Sequence, residues 1–201
     1  ELNVPNEPKI ITENKVKRFI GGYIEKSVKK SLGQNPLPGI EIDYFIPKGF
    51  DTLDIKISIL KNDMVIRKFE NKKDTIEFKT WQGGPTEKKY LKPKYGFNRF
   101  NWDLRREPFK GVNKIFVYGS YSSGIVPPGN YKIKMNIGDK EYQNSFILEP
   151  DPNFNFKASE YLEQEKLLLL IEKNIRNLNM TVTKARNIKM QLENDIKKMN
   201  N

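Results

Sequence analysis

Asp43, Asp54, Asp103 and Glu107 are the side chains of this sequence best suited to acid–base chemistry. Hydrolysis of a glycosidic bond needs two carboxyl groups facing one cleft, one protonated and one ionised. Nothing in the spacing of these four acids brings any two of them together. No Asp-x-Asp-x-Asp-Gly loop supplies a calcium cage. Gly21-Gly22 and Gly83-Gly84 lack the following lysine and hydroxyl of a phosphate cradle. The 201 residues include no histidine and no cysteine. Imidazole relays, thiolate nucleophiles, disulfides and ordinary zinc sites therefore have no raw material. The expectation is a chain that is not an enzyme and that takes no cofactor and no metal.

Two tryptophans offer a different chemistry, stacking against sugar rings. Trp102 alternates in step with Phe100 and Leu104, which places it on a core-facing strand surface. Trp81 stands beside Gly83-Gly84-Pro85 in a loop and is the candidate exposed binding aromatic. With the loop tyrosines Tyr90, Tyr95, Tyr118 and Tyr121 it makes a glycan-binding module the alternative expectation.

These side chains need elements to hold them, and the strand signals are regular. Ile40, Ile42, Tyr44 and Ile46 alternate with Glu41, Asp43 and Phe45, giving one buried and one mixed face, and Ile55, Ile57 and Ile59 alternate with Lys56 and Ser58. Lys61-Asn62-Asp63 is a polar turn, returning the chain through Met64 to Phe69 as a hairpin. Thr75 to Lys79 is a short candidate strand, and residues 80–96 form a long loop. Phe100 to Leu104 makes a further strand. Residues 106–129 are a second insertion, in which Ile115 to Tyr118 can pair at an edge. Tyr131, Ile133, Met135 and Ile137 alternate with polar residues, and Gly138-Asp139 turns the chain into a partner strand ending at Leu148. Pro150 and Pro152 then stop the sheet.

From Ser159, the expected N-cap, no proline or glycine interrupts the chain. Apolar residues recur at Leu168, Ile171, Ile175, Leu178, Val182, Ala185, Leu192 and Ile196, at alternating spacings of three and four, broken once at Lys189. That is a heptad seam and the candidate helix interface. It predicts a long helix, or a helical hairpin turning near Asn177–Asn179, whose partner is another protein or a missing remainder of the same polypeptide. The expected organisation is an extended approach segment over 1–33, a β-sandwich over 34–150, and the helical segment over 151–201. The fold class is mainly β with a C-terminal α segment.

The net charge of +11 comes largely from lysines scattered along the chain. A solvated, lysine-coated surface accounts for it, and no recognisable nucleic-acid module is present, so a nucleic-acid partner is not expected. The longest apolar run, Leu167 to Ile171, is far too short for a transmembrane segment. The first residue is Glu1, which suggests a piece processed or excised from something longer.

Several strings taken together carry a resemblance. Asn35-Pro36-Leu37-Pro38-Gly39-Ile40-Glu41-Ile42-Asp43-Tyr44 is one. The others are Gly96 to Arg105, Val126-Pro127-Pro128-Gly129-Asn130-Tyr131, and Glu149-Pro150-Asp151-Pro152 before a helix. This ordered set resembles the C-terminal region of bacterial sortilin-like, BNR-repeat β-propeller proteins, often labelled glycosyl hydrolases. The resemblance implies an immunoglobulin-like (fibronectin-III-like) module, similar also to that of flagellar hook-capping proteins, followed by a helical segment. It further implies an accessory, non-catalytic role in an exported parent, extracellular or associated with the cell surface or outer membrane. The Asp-box of a propeller blade, Ser-x-Asp-x-Gly-x-x-Trp, does not occur here, so a propeller's activity is not assigned to these residues. The short motifs Asp51-Thr52-Leu53 and Asp74-Thr75-Ile76 resemble O-glycosylation sites of exported bacterial proteins and point the same way.

Overall fold

A computed structural model describes residues 5–19, 38–72, 90–112, 115 and 121–199. The described chain is mostly β, with two sheets and one long C-terminal helix. The strands are β1 (Lys9–Ile11), β2 (Lys15–Lys17), β3 (Ile40–Ile46), β4 (Ile55–Lys61), β5 (Met64–Glu70), β6 (Gly96–Trp102), β7 (Gly129–Ile137) and β8 (Lys140–Glu149). The helix is α1 (Ala158–Met199). One sheet has the order β1-β3-β6 and the other β2-β8-β7-β4-β5.

The alternation read from the sequence decides which side chains meet. Ile40, Ile42, Tyr44 and Ile46 of β3 share one buried cluster with Ile55, Ile57 and Ile59 of β4 and with Tyr131, Ile133, Met135 and Ile137 of β7. Successive strand residues point to opposite faces, so a period of two supplies a continuous apolar surface from each sheet. Trp102 is fully buried at the centre, edge-on to Tyr131 and Phe146. Its indole N–H donates to the Arg105 carbonyl at 2.9 Å, so burial leaves no unpaired donor on the ring.

Turn chemistry sets the registers. Asn62 and Asp63 have φ of 49° and 59°, the left-handed pair that a two-residue hairpin between right-twisted strands requires. Gly39, at φ 112°, enters β3 where a Cβ would stand 2.0 Å from the Trp102 carbonyl oxygen, and no other residue fits there.

The approach segment expected over 1–33 needs correction. Lys9–Ile11 pairs antiparallel with β3, burying Ile10 opposite Tyr44, and Lys15–Lys17 pairs in parallel with β8. Three-residue strands are too short to show a period in the sequence, and the neighbouring strands supply their register. Strand β6 ends at Trp102, earlier than the expected Leu104. Leu104 is buried at φ 58°, a conformation that side-chain-bearing residues adopt rarely and at a cost. The helix begins at Ala158, one residue before the expected cap, and runs unbroken for 42 residues, so there is no hairpin at Asn177–Asn179. Lys157 precedes its first turn, and the Lys157 N–H donates to the Glu160 carboxylate at 2.6 Å, the reach-back half of a capping box. The candidate strand 75–79 lies outside the described residues, as does the expected edge pairing at 115–118 apart from Ile115.

Candidate functional site

The first half of α1 lies on the two-sheet body, and the contact is built largely from polar groups. Tyr161, in the first turn, is buried beneath the Arg18 guanidinium, 5.2 Å from carbon to ring centroid. Arg18 follows β2. Its backbone N–H donates to the Glu149 carbonyl at 2.8 Å and its Nε to the Val126 carbonyl at 2.8 Å. One side chain thus ties the entering strand, the loop before β7 and the start of the helix. Burial lowers the pKa of Arg18, while the nearby Asp151 works in the opposite sense.

Further along, Glu165 accepts from Lys61 Nζ at 2.8 Å and lies 3.5 Å from Arg106 Nη1. Glu172 is the centre of the contact. Both its oxygens accept from Arg106 Nε at 3.2 Å, and Oε1 also accepts from the Gly124 N–H at 2.8 Å. The side chains of Arg106 and Glu172 are only 7% and 8% exposed. Charges withdrawn from water this far are tolerable only when paired and hydrogen-bonded. The surrounding loop meets much of that condition, with only Arg106 Nη2 and Arg67 Nε of this cluster left without a hydrogen-bond partner. The Arg106 carbonyl accepts from Arg67 Nη1 at 2.9 Å and from the Ser123 hydroxyl at 2.5 Å. Arg67 is itself buried, and that burial lowers its pKa.

Gly124 makes the close approach possible. A Cβ there would meet Leu168 Cδ1 and Arg106 Nη2, each at 3.0 Å, and Glu172 Oε1 at 3.1 Å. Beyond it, Arg176 donates to the Glu107 and Pro108 carbonyls at 2.8 and 3.4 Å and lies over the Phe109 ring. Asn179 donates to the Lys110 carbonyl at 3.0 Å. Residues 161, 165, 168, 172, 176 and 179 recur at three and four, so they form one stripe of the helix.

The heptad positions nominated from the sequence separate into two rows. Leu168, Ile175 and Val182 are half-buried in or beside the docked stripe. Ile171, Leu178, Ala185, Leu192 and Ile196 are exposed, Leu178 at 63% and Leu192 at 58%. Part of the seam therefore meets loops of the body instead of a helical partner. A seam of apolar residues alone does not disclose the polar members of the docked stripe, Glu165, Glu172 and Arg176. Glu165, Glu172 and Arg176 stand seven and four residues apart, a spacing that places them on one helix face. Arg106 and Gly124 gave no signal, since nothing local marks a loop residue as the receptor for a helix.

The four candidate acids are engaged separately. Asp43 receives both Arg99 Nε and Nη2, at 2.7 and 2.8 Å, across the β3–β6 pair. Asp54 pairs with Lys72, Asp103 accepts the Arg105 N–H, and Glu107 accepts the Lys68 N–H. Among the loop aromatics, Tyr121 is buried, Tyr90 half-buried and Tyr95 exposed. Trp81 and Tyr118 lie outside the described residues. A groove of about 450 Å³ is lined by Asn14, Asn62, Asn130, Ser145 and the Lys132–Asp63 ion pair, among others. No helix among the described residues is long and apolar enough to cross a membrane. No family model, no curated protein and no solved structure matches this chain.

Proposed function

We propose that this chain is a non-catalytic interaction module, an immunoglobulin-like sandwich that packs against its parent protein or a neighbour and presents α1 for assembly. The observation that carries the reading is the division of α1. One stripe is fixed to the body through Arg106 and Glu172, while Ile171, Leu178, Leu192 and Ile196 stay exposed on the same helix. A row of exposed apolar residues on an element already held in place is the signature of a contact surface.

Three features support an immunoglobulin-like sandwich. The strand orders correspond to A-B-E in one sheet and G-F-C with an added edge strand in the other. The first segment contributes to both sheets, joining β8 in parallel. The Tyr131 hydroxyl donates to the Pro127 carbonyl at 2.6 Å, four residues back at the start of β7, as a tyrosine corner does. The resemblance to the C-terminal region of sortilin-like propeller proteins supports an accessory role in an exported, surface-associated parent.

Photo-cross-linking in cells producing the native protein tests the assembly role. A photoreactive residue at Leu178 or Leu192 is expected to capture a protein, and one at Asn187 or Asn194, on the polar flank, is not. Equal capture from both flanks, or none, overturns the reading. Glycan binding is the second reading, favoured by the amide and hydroxyl side chains of Asn14, Asn62, Asn130 and Ser145 around one groove. Glycan-array binding that Asn130→Ala abolishes would establish it.

A further inference from the structure

Resting on that assembly role, we propose that the occupant of the free row of α1 is a second copy of this chain, paired antiparallel. The row runs through Leu167, Ile171, Leu178, Ala185, Ile188 and Leu192, all exposed. With Gln164, Asn174, Thr181 and Asp195 it completes an alternation of three and four along one flank of the helix. The docked residues Tyr161, Leu168, Ile175 and Val182 lie on the adjacent flank, so the body leaves this row accessible.

Charge and polarity choose the orientation. Two parallel copies in register would set Asp195 against Asp195 within the seam. The flanking Lys184 would face Lys189 of the other copy. Like charges opposed in this way disfavour the pairing.

Antiparallel copies have a register without these conflicts. Leu167 meets Leu192 of the second copy, Ile171 meets Ile188, Leu178 meets Thr181 and Asn174 meets Ala185. The two polar positions, Gln164 and Asp195, meet each other at the ends. On the flank, Glu163 comes opposite Lys198, and Lys184 opposite the neutral Asn177. The layers Leu167–Leu192 and Ile171–Ile188 are then wholly apolar, Gln164–Asp195 is polar at the ends, and Thr181 and Asn174 each face one apolar side chain.

The same register accommodates the bodies. Each body occupies the first half of its own helix, so antiparallel pairing lays the projecting half of one helix beside the docked half of the other. Both docked rows occupy the same heptad position, which puts the two bodies side by side on one flank of the pair, displaced along its axis.

The absence of cysteine makes the test clean. Sedimentation of the full chain is expected to show a species of twice the 23.6 kDa chain mass, dissociating on dilution. Leu178→Asp, at a position exposed in the single chain, is expected to raise the dissociation constant about 100-fold or more while leaving the far-ultraviolet circular dichroism unchanged. Under oxidation, a mixture of Leu167→Cys and Leu192→Cys chains is expected to give a disulfide-linked heterodimer, whereas Leu167→Cys alone stays unlinked. Rapid cross-linking of Leu167→Cys to itself would overturn the antiparallel arrangement. A monomer at all concentrations whose Leu178 photo-cross-links reach a protein of another mass would overturn self-pairing and leave the assembly role standing. A monomer with no such cross-links would sink both.

Discussion

Arg106 and Glu172 are 66 residues apart in the chain and form an ion pair in which each side chain is less than a tenth exposed. Loop and helix are joined there by charges that water no longer solvates, so the pairing geometry governs whether α1 stays on the body. A helix whose interior face is partly ionic is harder to misplace than one held by aliphatic contact alone, because a slipped register strands a charge.

Replacing one member of the pair is therefore expected to cost far more than replacing both. Glu172→Ala leaves the Arg106 guanidinium buried without its counter-charge and should destabilise the docked helix by about 3–5 kcal/mol. The double variant Arg106→Met with Glu172→Met should recover most of that loss. Urea denaturation followed by circular dichroism measures both, and equal losses in the two variants would contradict the account.

Gly124 offers a steric test of the same junction. Gly124→Ala places a methyl group against Leu168 Cδ1 and Arg106 Nη2 at 3.0 Å, and about 1–3 kcal/mol of destabilisation is expected. Hydrogen exchange should show faster exchange over the docked half of α1, with β3, β4 and β7 little changed. Uniform acceleration across the sheets would place the effect elsewhere.

The hydroxyl of Tyr131 can be removed without disturbing its ring. Tyr131→Phe leaves the aromatic contacts with Trp102 and Phe146 in place but frees the Pro127 carbonyl. A loss of about 1 kcal/mol is expected, the usual net worth of one internal hydrogen bond. Thermal unfolding of the two proteins gives the difference, and an unchanged midpoint would remove the corner from the list of stabilising features.

Burial pushes the Tyr44 phenol up to about 12 from its ordinary value near 10. The folded state thus holds this proton more tightly than the unfolded chain does. The associated stability is fully present below the unfolded pKa and is lost as pH rises through the folded one. Stability should accordingly fall between about pH 10 and 12, by roughly 2–3 kcal/mol for this group. Tyr44→Phe should flatten that part of the profile in urea titrations at graded pH. A profile as steep as that of the unaltered protein would show that another group is responsible.

Much of the architecture was legible in the residues themselves. The alternations at Ile40–Ile46, Ile55–Ile59 and Tyr131–Ile137, the turn residues Asn62 and Asp63, and the uninterrupted tail after Ser159 each act through neighbours a few positions away. Backbone sterics and a period of two or of 3.6 are local properties, and a one-dimensional chain displays them directly. The core position of Trp102 followed from the same alternation with Phe100.

Only the tertiary structure decided which partners these elements take. Lys9–Ile11 and Lys15–Lys17 are too short to declare themselves, and they become strands because β3 and β8 present unpaired backbone groups at the right edges. The apolar seam of the tail specified that a helix would bury something. It could not say that Leu168, Ile175 and Val182 would turn toward the body while Ile171, Leu178 and Leu192 would not. That choice depends on where Arg106, Gly124 and Lys61 stand in space, and those positions are set by strand pairings between residues far apart in the chain. Periodicity is a short-range property of a chain, whereas pairing partners are fixed by long-range closure.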